Sequence, residues 1–441
     1  MNPVLPPATA PLDAARLPLA DRVSDVTAGP ARLLLCPAPV RDVVSFRGSL
    51  WAGVDLSGDD DVALALAVDL LDKGTRHRDR FEVAEALEGR GAQLHFYADN
   101  LRLGFAGRAL TEDLPDVLAL LAEQLREPAL DADEFEKERR QAVASVRRAK
   151  DSTAGRATGA LTRRLYAPAH PNYVPEPDAE LERLAALTVE RVRAFHAAHV
   201  APTRLTIAFA GDLDGARVTA AVEANLGDWA PHDRAARFDT TATPTAPGRT
   251  DVEIADRLNL DVRMGHPVAL RRDSPDFVAA HAGLFALGGN FSSRLMQTVR
   301  DEQGLTYGIG SALHNVSVEH DGHALVYASL SQDRLEEGLA ATRAVIERFV
   351  QVGVNEEELE RVRTTLAGTH AVALATTSGL AARLLVNAER GFDIGYLDHY
   401  PEMVRALTVD EVNRAVRTHL RPDELHVAVA GTLPAAPSGG A

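Results

Sequence analysis

Side chains that could bind a metal, activate water or attack a carbonyl are thinly spread along this sequence, and few stand at the spacing such chemistry needs. His196-x-x-His199 comes nearest to a ligand pair, because residues three or four apart share one helix face. Only His199 has a counterpart in the second half of the chain, His419, which points to a structural role at a helix end. His314, Glu319 and His320 stand close together, but neighbours on a strand point to opposite faces, so Glu319 and His320 read as a solvated strand or turn. The lone Cys36 can form neither an internal disulfide nor a thiolate cluster, and after Leu33-Leu34-Leu35 it reads as a buried thiol. Neither H-x-x-E-H nor H-E-x-x-H, two helical zinc signatures, occurs anywhere. Arg300 and Tyr307 remain, 307 − 300 = 7 residues apart with Gly304 between them as a helix stop. Taken alone, an Arg near a helix C-terminus favours the dipole and a strand Tyr packs well.

The elements that must position these residues come in two similar sets. Leu187-Thr188-Val189 returns as Leu407-Thr408-Val409, and His199, Pro202, Leu205, Ala210, Gly211 and Leu213 return as His419, Pro422, Leu425, Ala430, Gly431 and Leu433. The offset is 407 − 187 = 220 throughout, with eleven of 27 aligned residues identical. Each copy predicts a threonine-capped helix, a proline turn and a strand ending at glycine. Upstream, Val62 to Gly74 with Phe81 to Gly91 matches Phe277 to Gly288 with Arg294 to Gly304. β-rich runs over 42–53, 92–108, 251–264 and 305–332 alternate with helical patterns over 114–125, 132–148, 335–350 and 355–373. One-striped helices need a sheet face to bury that stripe. The fold class is therefore α+β, two homologous α/β-sandwich halves with helices over a mostly antiparallel sheet. The domains expected are an N-terminal tail over 1–22, a half over 23–230, a Pro/Thr/Ala/Arg linker over 231–250, a half over 251–434 and a tail over 435–441.

Composition excludes several classes. The 441 residues are 46% apolar and 25% charged, ordinary for a soluble protein of more than one domain. Lys+Arg total 47 against 63 Asp+Glu, a net −16, which argues against a grip on nucleic acid or anionic lipid. The opening residues hold Pro3, Pro6, Pro7, Pro11 and Pro18 without a basic start and apolar block, so they do not read as a secretory signal. Val62 to Leu71 is about half the roughly 20 residues of a membrane span. A soluble, cytoplasmic protein is expected.

The strings Leu71-Asp72-Lys73-Gly74-Thr75, Leu287-Gly288-Gly289-Asn290-Phe291-Ser292-Ser293-Arg294-Leu295 and Val299-Arg300-Asp301-Glu302-Gln303-Gly304-Leu305-Thr306-Tyr307 give the chain a resemblance over nearly its whole length. It resembles the pitrilysin/insulinase family of zinc peptidases, in its mitochondrial-processing-peptidase-like branch of short, paired subunits. The resemblance implies two halves facing each other across a chamber. In catalytic relatives the first helix carries H-x-x-E-H, two His for zinc and a Glu that activates the bound water. Counting back from Lys73-Gly74-Thr75, those positions fall on Ala65-Leu66-Ala67-Val68-Asp69, so Ala65 and Asp69 replace the histidines and Val68 the general base. The third ligand, a Glu about 76 residues beyond the second His, falls on Ser145. Ala and Val supply no lone pair, and one carboxylate with one hydroxyl does not make a three-ligand catalytic site.

Arg300 and Tyr307, by contrast, match the family's Arg/Tyr pair, which contacts the peptide carbonyl, where a guanidinium and a phenol stabilise an oxyanion. Gly288, Gly289 and Asn290 match its glycine-rich loop, where missing side chains let a peptide approach and Ser292 or Ser293 can cap the next helix. In two-subunit branches the zinc motif and the Arg/Tyr pair sit on different chains. The resemblance thus implies a non-metal accessory subunit, inactive alone, binding peptide and acting in trans with a homologous partner that keeps H-x-x-E-H and holds the zinc; this chain carries no cofactor, and pairing with a second copy of itself when the partner is absent is left open. The alternatives are a structural scaffold subunit and, third, a metallopeptidase by family label only. Asp69 faces either the old catalytic side or solvent, and the charged helix from Glu134 to Arg148 reads as a solvated face with i,i+4 pairs.

Overall fold

The computed structural model describes residues 17–56, 58–99, 101–231 and 235–434. Most of the N-terminal tail, the C-terminal tail and linker residues 232–234 lie outside the described residues. The rest of the presumed tail is structured: Leu19–Arg22 forms a helical turn with Leu19 buried, its N–H donating to Asp398 Oδ1 at 2.8 Å.

The chain divides into two compact units. One is drawn from Met1–Gln141, Ala186–Arg237 and Thr369–Pro401, the other from Ala142–Ala185, Phe238–Gly368 and Glu402–Ala441. Neither is a continuous stretch, so the units differ from the contiguous boundaries read off the sequence.

The first unit holds β1 (Ser24–Ala28), β2 (Ala31–Pro37), β3 (Val43–Trp51), β4 (Gln93–Ala98), β5 (Arg102–Leu110) and β6 (Thr206–Gly211), in the order β1-β2-β6-β3-β5-β4. Only β2 and β6 run parallel. The second holds β7 (Arg249–Glu253), β8 (Asn259–Val268), β9 (Thr306–His314), β10 (Gly322–Ser331) and β11 (His426–Gly431), in the order β7-β11-β8-β10-β9 with β7 and β11 parallel. The inner strand β11 is buried at every position and lacks polar alternation because both of its faces are covered.

A helix from the opposite half of the sequence covers each sheet. The Thr377–Glu389 helix packs Leu380, Ala381, Leu384 and Leu385 on Leu34, Cys36, Ala208 and Ala210 of the first sheet. Polar bonds pin it, Thr377 to Ser45 at 2.8 Å between hydroxyls and Ser49 Oγ donating to Glu389 Oε1 at 2.5 Å. In the second unit the Thr153–Leu165 helix packs Ala160, Leu161 and Leu165 with Leu325 and Ala428. Gly265 on β8 permits that approach, since a Cβ there would lie 3.2 Å from Leu161 and 2.6 Å from the Ala324 carbonyl. Thr153 Oγ1 donates to Asp261 Oδ2 at 2.7 Å. The expected linker is also held: Ala242 N–H donates to Asp321 Oδ2 and Thr243 N–H to the Leu165 carbonyl. Among the described residues no single helix is long and apolar enough to cross a membrane.

The chain after the Thr153–Leu165 helix is fastened to the second sheet by buried polar groups that linear spacing does not announce. Tyr166 Oη lies 2.9 Å from His323 Nδ1, and His170 Nε2 lies 3.0 Å from Asp321 Oδ1. His170 meets His320 edge to face, and His314 lies against His323. His320 is buried, with Nδ1 on the Asp321 carbonyl, so the solvated turn expected around Glu319 and His320 is corrected in part: the turn between β9 and β10 is there, but the His170 ring packs against His320. Burial, aided by His314, His266 and His170, pulls His323 down to about 3. Folded His323 therefore stays neutral where an unfolded histidine, near 6.5, is protonated, and the stability this carries above 6.5 drains away as pH falls towards 3. Urea titrations at pH 7, 6 and 5 should show a falling midpoint, His323 contributing about 1.4 kcal/mol per pH unit below 6.5, and His323→Asn should flatten that slope; identical slopes would contradict this.

Candidate functional site

The Arg/Tyr pair and the glycine loop come together in the second unit. The Phe277–Gly288 helix is buried over most of its length and packs against β9. The next helical segment, Met296–Glu302, is a π-helix, a rare widened turn that recurs at functional sites. Leu295, Met296 and Val299 bury its inner face. Arg294 anchors its start, donating to Glu358 at 2.5 and 2.7 Å and to the Gly353 carbonyl at 2.8 Å. Gly304 ends it as expected: at φ +60° it lets its own N–H reach the Arg300 carbonyl and the Leu305 N–H reach Val299. This is a Schellman-type closure widened by one residue because the helix is π.

Tyr307 follows at the start of β9, the edge strand. Ile309 pairs with Ala328 and Thr306 with Leu330, so Tyr307 and Gly308 oppose the single residue Ser329 in a β-bulge. Thr306 Oγ1 fixes the bulge, donating to the Ser329 carbonyl at 2.6 Å and accepting from Gly308 N–H at 3.1 Å. A bulge re-aims a side chain, and Tyr307 is 88% exposed. The Arg300 guanidinium carbon lies 5.3 Å from the Tyr307 ring centroid and 5.4 Å from that of Phe291, within cation–π range. Arg300 Nε lies 3.8 Å from Asp301. Two donors, a guanidinium and a phenol, are thus presented side by side.

The glycine loop differs from expectation. A Cβ on Gly288 would lie 2.3 Å from the Ser311 nitrogen, and one on Gly289 2.4 Å from the Phe285 ring. Gly288 is bare so that its helix can lie on β9; its space is filled by the chain itself. Neither serine caps the next helix: Ser292 Oγ bonds Asn290 Oδ1 at 3.0 Å, and Ser293 Oγ is buried without a hydrogen-bond partner among the described residues.

The degenerate zinc-motif positions lie on the Asp60–Asp69 helix of the first unit. Val68 is buried; Ala65 and Asp69, one turn apart, are exposed. Surrounding protein and the charge of Glu138 push the Asp69 carboxyl up, with Lys73 opposing. Lys73 Nζ lies 3.1 Å from Asp72 and 3.5 Å from Glu138. Burial pulls this ammonium down, but the two carboxylates outweigh it and its pKa rises. Sequence reading missed the Lys73 and Glu138 contact and took the charged helix for a purely solvated face; its local pairs are i,i+3, Lys137 to Glu134 and Arg139 to Glu136. Ser145 is exposed on the Ala132–Ala149 helix, at a position counted to the second unit. Among the described residues no group of three His, Cys, Asp or Glu is placed to hold a metal ion. Ala65 and Val68 offer no donor, so zinc does not fit here. His196 and His199 are structural: His196 Nε2 lies 3.0 Å from the Leu125 carbonyl and His199 Nδ1 3.0 Å from that of Ala52. His419, the counterpart of His199, sits 3.1 Å from Asp276.

The family model described as Insulinase (Peptidase family M16) matches residues 68–172, and the one described as Peptidase M16 inactive domain matches 186–366. The chain belongs to the M16 peptidase family. Among its M16 relatives an uncharacterized zinc protease of Streptomyces coelicolor is 26% identical over 370 residues, 80% of this chain and 78% of the relative. A non-peptidase homolog of Helicobacter pylori is 21% identical over 391 residues, 88% of this chain and 87% of that one. The crystal structure of a peptidase M16 inactive domain from Pseudomonas fluorescens matches with a TM-score of 0.84 at 24% identity, covering 94% of this chain and 99% of the other.

In this M16 chain Lys73 supplies the positive charge that the carboxylates around the old motif need. Lys73→Met should lower the unfolding free energy at pH 7 by about 1 kcal/mol, and the deficit should shrink as pH falls and Asp69, whose carboxyl is pushed up, takes its proton. A deficit independent of pH would show that Lys73 acts through packing instead.

Proposed function

We propose that this chain is the non-metal accessory subunit of a heterodimeric M16 peptidase. It binds an extended peptide and supplies Arg300 and Tyr307 to a partner chain that carries H-x-x-E-H and zinc. The observation that carries the reading is the Arg300/Tyr307 pair, a half-buried guanidinium against an exposed phenol, built by a π-helix, a glycine stop and a bulge that together bring the two donors side by side. Zinc on the partner supplies the activated water. The role of this chain is to donate N–H and O–H bonds to the carbonyl oxygen as negative charge gathers on it. The Helicobacter pylori relative's name, non-peptidase homolog, supports a non-catalytic member; the label zinc protease on other relatives is set against Ala65, Val68 and Asp69 in this sequence.

A scaffold subunit without a proteolytic role is the second reading. It is favoured by Gly288, whose missing side chain is explained by packing within the chain. It leaves the outward turn of Tyr307 without a purpose.

The two separate in the reconstituted pair. Arg300→Ala or Tyr307→Phe should lower peptide turnover by roughly 10²-fold, the scale of losing one oxyanion donor. Unchanged turnover in both variants would favour the scaffold.

A further inference from the structure

Phe291 has no assigned part in this site, yet its placement is hard to account for by folding alone. Its ring is 76% exposed, so burial gives it little stabilisation. The loop that carries it is nonetheless built: Asn290 Oδ1 accepts from the Ser292 N–H at 3.1 Å and from its hydroxyl, and the Ser293 N–H donates to the Asn290 carbonyl at 3.2 Å. This turn sets the Phe291 ring beside the Arg300 guanidinium.

Arg300 and Arg294 show what that contact does. Arg294, on the same helix, spends its guanidinium on Glu358 and the Gly353 carbonyl. Arg300 makes no side-chain hydrogen bond among the described residues, and Asp301 is 3.8 Å away. A guanidinium with five donors and no fixed acceptor turns freely unless something holds its plane. Aromatic rings do this without consuming a donor, because they attract the cation while the N–H edge stays free.

We propose that Phe291 is the positioning residue for Arg300, and that Phe291, Arg300 and Tyr307 form one recognition unit for a peptide carbonyl. The proposal rests on the accessory-subunit reading. Phe291 and Tyr307 hold the guanidinium between them in orientation, and its free N–H groups meet a planar oxygen acceptor beside the Tyr307 hydroxyl. With Asp301 offsetting part of the charge, a neutral backbone carbonyl suits this edge better than a carboxylate.

The test uses the full chain and two readouts. Phenylglyoxal, which adds to accessible guanidinium groups, is applied to the isolated protein, and labelling of Arg300 is followed by peptide mass mapping with Arg294 as the internal control. Phe291→Ala should speed Arg300 labelling about fivefold, the scale of an exposed cation–π contact, with Arg294 unchanged. In the reconstituted pair the same variant should lower kcat by a similar factor with little change in KM, and Phe291→Tyr should restore both readouts. Phe291→Leu should behave as Phe291→Ala; if it matches Phe291→Tyr, simple packing explains the site and the proposal is overturned. Wild-type labelling and turnover in Phe291→Ala, while Arg300→Ala is slow, would overturn the proposal and leave the accessory reading standing. Normal turnover in Arg300→Ala would overturn both.

Discussion

A catalytic zinc needs about three side chains with lone pairs held on fixed backbone, and a water it can polarise against a nearby base. The Asp60–Asp69 helix has the backbone without the donors. Its one-turn pair is Ala65 and Asp69, and the base position is the buried Val68. The remaining carboxylates of this neighbourhood, Asp69, Asp72 and Glu138, are offset by Lys73. An ammonium can balance charge there, but it cannot accept electron pairs from water. On the proposed reading, any M16 chemistry this chain joins runs through the donors it keeps, Arg300 and Tyr307.

Those donors depend on irregular backbone. A regular helix would close one residue earlier, and a regular strand would give Tyr307 a plain place in the ladder. The π-helix, Gly304 at positive φ and the bulge held by Thr306 are local departures from ideal geometry concentrated between Met296 and Gly308. Such departures persist where surrounding structure over-determines them. Leu295 and Val299 in the core, with Arg294 bridged to Glu358, do so here.

Much of this was legible from sequence. Thr188 and Thr408 accept from the N–H groups of Arg191 and Glu411 as N-caps, because a β-region threonine before an apolar run has little else to do. The β-rich runs over 42–53, 92–108, 251–264 and 305–332 hold β3, β4 with β5, β7 with β8, and β9 with β10; that three of them break into two strands was not read, since turns and caps set strand limits more sharply than composition does. The exchange of helices between sequence halves was not legible. Periodicity says that Thr153–Leu165 has an apolar stripe, and nothing local says which sheet will bury it. The buried histidines were missed for the same reason: residues 170, 314, 320 and 323 meet only after β9 and β10 have formed. Phe291 was hidden because exposed loop aromatics carry no periodic signal, and the Lys73 to Glu138 contact because helix charges far apart in sequence look solvated one at a time.

The account turns on metal content and cleavage by the chain alone. The protein, purified without any partner, is exposed to excess zinc, dialysed, and assayed by inductively coupled plasma mass spectrometry alongside hydrolysis of an unfolded peptide. The account predicts far less than one zinc per chain and no cleavage. One tightly held zinc per chain together with chelator-sensitive cleavage would contradict it.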